Sequence, residues 1–183
     1  MKNSSHSSLA HHESSMSSML FDAYDAYMAK GDKRILSYPF MESPQVTISL
    51  CTLYFLFVKF IGPRFMKNRD PYDLRTPMII YNFSMVILNG YLFWYFGVYG
   101  WFGKYNIKCQ PVDYSNSPDA LGMIHIGWIF YFSKFVEFLD TIFFILRKKM
   151  TQVTTLHIIH HATMPFNVWF TIRYVNTVNK NNS

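Results

Sequence analysis

The sequence predicts an all-α, polytopic membrane protein with about four transmembrane helices. Three observations predict it. Half of the 183 residues are apolar and 19% are aromatic, and they are gathered in four blocks. Charged residues make up only 15% of the chain, against roughly a quarter for a soluble domain. The basic ones lie mostly between the blocks. Several block edges also carry helix-start signals. Helix is the expected form of each span, because open strands would leave backbone N–H and C=O groups unpaired in lipid.

Residues 1–33 are polar, with eight serines in the first 18 positions, and lack an apolar signal-peptide core near Met1. They read as a disordered Ser/His-rich tail. His6, His11 and His12 belong to that tail; a metal site there is the weaker reading. The four blocks run from Pro44 to Gly62, Pro77 to Tyr99, Gly122 to Leu146 and Thr155 to Tyr174. Each is long enough to cross a hydrocarbon core of roughly 30 Å at 1.5 Å per residue. Ser43-Pro44, Thr76-Pro77 and Ser117-Pro118 each set a capping side chain before a proline, whose missing N–H has no partner in a first turn anyway. The last of these places the start of the third helix a turn before its apolar run. Residues 175–183 are a polar end.

Arg64, Lys67, Arg69 and Arg75 follow the first block, and Arg147, Lys148 and Lys149 follow the third. The second connection holds only Lys104 and Lys108. The positive-inside bias puts the first and third connections in the cytosol and the N-terminus on the far side. The Asn3-Ser4-Ser5 sequon is then accessible for glycosylation, whereas Asn82-Phe83-Ser84 lies inside a span. This placement also accounts for the net charge of +6 without nucleic acid, for which no recognition motif is present. Cys51 and Cys109 do not make a disulfide framework.

The third block contains "KFVEFLDT", residues 134–141. Lys134, Glu137 and Asp140 recur every three residues and share one broad helical face, across about 120°. Each costs about 2.5–3.5 kcal/mol at mid-membrane, so this face should line protein or water. An ion-pair ladder that only ties helices together would satisfy the same spacing. The fourth block contains "TLHIIHHATMPF", residues 155–166. His157, His160 and His161 fall at i, i+3 and i+4 and can converge on one point. Pro165 cannot donate to the carbonyl of His161, so a kink or a free carbonyl is expected beside them. Metal ligation and acid–base or nucleophilic chemistry both suit clustered imidazoles. Only His125 and the tail histidines remain, too few for the several boxes of a di-iron desaturase or hydroxylase.

The segment "KFVEFLDTIFFILRKKMTQVTTLHIIHHATMP", residues 134–165, resembles the signature region of the very-long-chain fatty acid elongases. It carries that family's K-x-x-E-x-x-D-T box and, at the family's distance, its H-x-x-H-H box. "GPRFMKNRDPYDLRTPMIIYN" (62–82) and "CQPVDYS" (109–115) are also similar. The resemblance implies that residues 34–174 are the N-terminal part of a seven-helix bundle around an acyl tunnel, in the endoplasmic reticulum membrane. It implies condensation of a long-chain acyl-CoA with malonyl-CoA to 3-ketoacyl-CoA, CO2 and CoA. Malonyl-CoA is a co-substrate, and neither cofactor nor metal is expected. Family members continue past Tyr174 with three helices and an H-x-x-M-Y-x-Y-Y stretch, so a C-terminally truncated chain is expected. Its activity alone is left open.

On this reading His157, His160 and His161 carry catalysis. Lys134, Glu137, Asp140, Thr141 and Gln152 support the pocket, and the acidic and basic residues among them fix histidine tautomers. Arg147, Lys148 and Lys149 attract CoA phosphates or serve only as topology determinants. Expected partners are acyl-CoA, malonyl-CoA, membrane lipid, other elongation-cycle enzymes and further elongase copies. Cys109 is expected to be free here and, in a complete elongase, paired with a cysteine of the C-terminal part. Two rival readings are a non-catalytic fragment that associates with complete elongases, and a histidine-ligated iron desaturase. The orientation is checked by cysteine labelling of a Lys67→Cys variant in sealed microsomes. Labelling is expected without permeabilisation; labelling only after it would reverse the topology.

Overall fold

A computed structural model describes residue 16, residues 18–101, residue 113 and residues 115–175. The tail histidines, the Asn3 sequon, Lys104, Lys108, Cys109 and the polar end from residue 176 lie outside the described residues. The described residues are helical and contain no strand. In chain order they form α1 (residues 18–29), a 3-10 turn at Lys33–Ser37, α2 (Pro44–Met66) and α3 (Arg75–Gly100). These are followed by α4 (Pro118–Val136), α5 (Phe138–Leu146), a 3-10 turn at Met150–Gln152 and α6 (Thr155–Phe170).

Among the described residues two helices, α2 with 23 residues and α3 with 26, are long and apolar enough to cross a membrane. The third and fourth blocks do not meet that measure as expected. The third is divided at Glu137, where ψ falls to −16° and Asp140 N–H bonds the Glu137 carbonyl three residues back at 3.2 Å. Such a bond tightens the chain into a single 3-10-like turn. The fourth carries three histidines and Arg173, which dilute its apolar content.

Two of the three Ser/Thr-Pro starts stand as expected. Ser43 Oγ accepts from Gln45 N–H at 3.2 Å, and Ser117 Oγ accepts from Ala120 N–H at 3.2 Å. The third is corrected: α3 starts at Arg75, not Pro77. Asp73 Oδ1 accepts the Arg75 N–H at 3.1 Å and draws the helix back by one residue past Thr76. Pro77 remains harmless there, since the first four helical N–H groups have no intrahelical partner. At the other end of α2, Pro63 cannot donate to the Lys59 carbonyl. The turn over Phe57–Ile61 widens to π geometry, and Gly62 N–H reaches back to the Phe57 carbonyl. Gly62 lies directly against Ile145 of α5; a Cβ there would stand 3.0 Å from the Ile145 side chain.

The expected disorder of segment 1–33 does not extend over residues 18–33. Met19, Leu20, Tyr24, Tyr27 and Met28 recur at helical spacing, a pattern that the serine-rich composition hides. Tyr27 and Tyr174 rings lie 4.7 Å apart. The buried Arg173 guanidinium donates to the Met28 carbonyl at 2.9 Å and to the Asp32 carbonyl at 3.0 Å. Asp32 N–H returns a bond to the Arg173 carbonyl at 2.9 Å.

Helix α6 packs between α2 and α4. One apolar cluster gathers Ile35, Met41, Ile124, Tyr131, Val168, Trp169 and Tyr174; the other gathers Tyr54, Val58, Met66, Ile145 and Ile158. At the first cluster Thr47 of α2 and Tyr131 of α4, both fully buried, share a hydrogen bond of 2.7 Å. Replacing Thr47 by Val strands the tyrosine hydroxyl and is expected to cost about 1–3 kcal/mol. Adding Tyr131→Phe should recover most of that loss. Thermal unfolding of the single and double variants in detergent micelles measures the coupling, and additive losses would mean that the bond carries nothing.

Candidate active site

The histidine cluster is placed by its helix cap. Thr154 Oγ1 accepts the His157 N–H at 3.2 Å, which starts α6 at Thr155 and sets the three histidines in its first two turns. Their rings do converge. His157 and His161 ring centroids lie 4.5 Å apart, and those of His160 and His161 5.1 Å apart at nearly right angles. His157 and His161 are half-buried and His160 is exposed. Pro165 is buried in the same helix, which continues past it to Phe170.

The element opposite is α5. Its Thr141 is fully buried, and Oγ1 lies 2.8 Å from His157 Nε2. The same oxygen lies 2.8 Å from the hydroxyl of Tyr54 on α2. Tyr54 stacks on Phe138 at 4.2 Å and stands 6.4 Å from the His161 ring. Three helices therefore meet at the box: α2 through Tyr54, α5 through Thr141 and α6 through the histidines.

Lys134, Glu137 and Asp140 lie at the junction of α4 and α5. Lys134 Nζ donates to Glu137 Oε1 at 2.5 Å and lies 4.5 Å from the centre of the Phe130 ring. Both side chains are nearly buried, at 10% and 15% exposure. Asp140 sits in the first turn of α5, where the helix dipole favours a carboxylate, beside the Tyr81 hydroxyl of α3. Among the described residues none of these three hydrogen-bonds a histidine of the box; Thr141 does. The ion-pair reading of the spacing thus fits Lys134 and Glu137, and the charged face borders the cluster rather than fastening it.

The connection from α5 to α6 begins with a Schellman turn. Lys148 adopts φ 53°, its N–H bonds the Ile145 carbonyl at 2.9 Å, and Lys149 N–H bonds the Phe144 carbonyl at 2.8 Å. Arg147 is half-buried and donates to Met78 Sδ at 3.0 Å. Lys148, Lys149 and Gln152 are exposed. His125 is remote from the box, near the rings of Tyr38 and Trp128.

Sequence reasoning missed Tyr54 and Tyr81. A signal for the first was present: Thr47, Cys51, Tyr54 and Val58 repeat at four- and three-residue steps, the buried stripe of α2. For Tyr81 no comparable signal exists.

The chain matches the model of the ELO (GNS1/SUR4) family over residues 39–180. The chain belongs to that family. It is 51% identical over 155 residues to a very long chain fatty acid elongase of Aedes aegypti, covering 84% of this chain and 43% of that protein. Identity is 48% over 150 residues to very long chain fatty acid elongase 1 of Homo sapiens, 82% of this chain and 54% of the relative. It is 44% over 157 residues to elongase 7 of Drosophila melanogaster, 85% and 48% respectively. The chain spans about half the length of the curated relatives it matches. It is a helical membrane protein of the elongase family, and the desaturase reading falls away with that membership.

In this elongase-family chain the Lys134–Glu137 pair is removed from water on both sides. Glu137→Gln leaves the ammonium without its counter-charge and is expected to cost about 3–5 kcal/mol. Lys134→Met combined with Glu137→Gln should recover most of it. Thermal unfolding in micelles checks this; equal losses in the single and double variants would deny the pair any electrostatic weight.

Proposed function

We propose that this protein condenses a long-chain acyl-CoA with malonyl-CoA, giving 3-ketoacyl-CoA, CO2 and CoA, the first step of very-long-chain fatty acid elongation. The observation that carries the reading is the cluster of three imidazoles held against Thr141 and Tyr54 where α2, α5 and α6 meet. Family membership and the elongase names of the relatives support it. In this reading the site works in the endoplasmic reticulum membrane, α4–α5 and α6 cross the bilayer beside α2 and α3, and the basic connections face the cytosol.

The chemistry follows from what imidazole does best. A ring nitrogen of His160 or His161 attacks the thioester carbonyl. An acyl–nitrogen bond forms, the carbon–sulfur bond breaks, and the ring proton leaves with the CoA thiolate. Loss of CO2 from malonyl-CoA generates a carbanion without a strong base. That carbanion attacks the acyl carbon, the acyl–nitrogen bond breaks, and the departing imidazolate takes from solvent the one proton that the condensation consumes, which restores the neutral imidazole. Lys148, Lys149 and the exposed Gln152 stand on the connection leading into the box, where cations suit CoA phosphates. No metal or resident cofactor takes part in this scheme. Acyl-CoA, malonyl-CoA and lipid are its partners, with other elongation-cycle enzymes and further elongase copies as neighbours.

The test is incorporation of labelled malonyl-CoA by microsomes carrying this chain joined to the part of the human relative that it does not match. His160→Ala and His161→Ala should each lower the rate by about 100-fold or more while the protein still inserts. A chelator should leave the rate unchanged. Undiminished activity in both variants would remove the box from catalysis, and loss on chelation restored by iron would replace the metal-free scheme.

A further inference from the structure

Tyr54 Oη, Thr141 Oγ1 and His157 Nε2 form a row with two contacts of 2.8 Å. Each hydroxyl has one proton to give, and a neutral imidazole has one donor and one acceptor nitrogen. The row can therefore run in two directions. In one, Tyr54 donates to Thr141 and Thr141 donates to Nε2, so every proton in the row is used. In the other, Nε2–H donates to Thr141 and Thr141 donates to Tyr54. The tyrosine proton must then point elsewhere, yet Tyr54 is 5% exposed, stacked on Phe138 and packed with Val58, Ile145 and Ile158. Among the described residues its hydroxyl has no hydrogen-bond partner other than Thr141. A buried donor without an acceptor carries the full desolvation penalty, so the first direction wins.

We infer that Tyr54 is a positioning residue which, acting through Thr141, holds His157 as the Nδ1–H tautomer. The consequence divides labour within the box and deepens the condensation reading on which it rests. With its Nε2 lone pair taken by Thr141, His157 has an N–H to give and no lone pair free for attack. The nucleophile is then His160 or His161, and His157 serves as the donor and as the anchor of the cluster.

The tautomer is read directly from two-bond nitrogen–proton correlations of 15N-histidine-labelled chain in lipid nanodiscs, at a pH of about 8 where free imidazole is neutral. His157 signals are assigned by their loss in His157→Gln. The wild-type chain should show Nδ1–H at His157. Tyr54→Phe and Thr141→Val should each lose that bias, and Thr141→Ser, which keeps the hydroxyl, should retain it. An Nε2–H tautomer or an imidazolium in the wild-type chain overturns the inference, and so does a tautomer unchanged in Tyr54→Phe. The wild-type measurement decides even if a variant fails to fold. No turnover is needed, so the outcome is separable from the condensation assay: a correct tautomer with active His160→Ala and His161→Ala variants would sink the chemistry and leave the relay standing.

Discussion

A hydroxyl taken away from water has to find its partner inside the protein, and lipid offers none. That constraint sets the relative positions of the helices here. Thr47 and Tyr54 lie two turns apart on α2, and each is bonded across to a neighbouring helix, at 2.7 Å to Tyr131 and at 2.8 Å to Thr141. Apolar contacts such as those among Val58, Met66, Ile145 and Ile158 tolerate some sliding. Two short hydrogen bonds on one helical stripe do not. They hold α2 in fixed register with α4 and α5, and Thr141 extends the same row to His157 and so to α6.

Much of the fold was legible because helix starts are local events. Ser43-Pro44 and Ser117-Pro118 act within three residues of themselves, and the capping bonds form where the spacing implies. Thr76-Pro77 misled because the helix begins one residue before Thr76, where Asp73 Oδ1 already accepts the Arg75 N–H. The division at Glu137 left no trace in the pattern, since apolar residues continue on both sides of it. Helix α1 was hidden for the opposite reason: its short apolar stripe directly follows a serine-rich stretch, and its hold on the rest is Arg173, 145 positions from Met28.

The site was legible to the extent that it is helical geometry. Three histidines at i, i+3 and i+4 had to share a face, and their rings do meet. Spacing also placed Lys134, Glu137 and Asp140 together, but it could not say what each would touch. Lys134 and Glu137 satisfy one another. The group that holds the box is a threonine, through a tyrosine from a different helix. Periodicity describes one helix at a time, and a contact such as Tyr54 to Thr141 depends on how two helices are set side by side.

The connection between α5 and α6 is closed at both ends, by the Schellman turn at Lys148 and by the Thr154 cap. A residue added or removed between the Thr154 cap and the box would turn the histidines by about 100° about the axis of α6, away from Thr141. The phase of the histidines is thus stored outside the histidines, in the distance from the threonine that starts their helix. Where two chains of this kind share the box, they should share a capping side chain three residues before its first histidine, even if the rest of the loop differs.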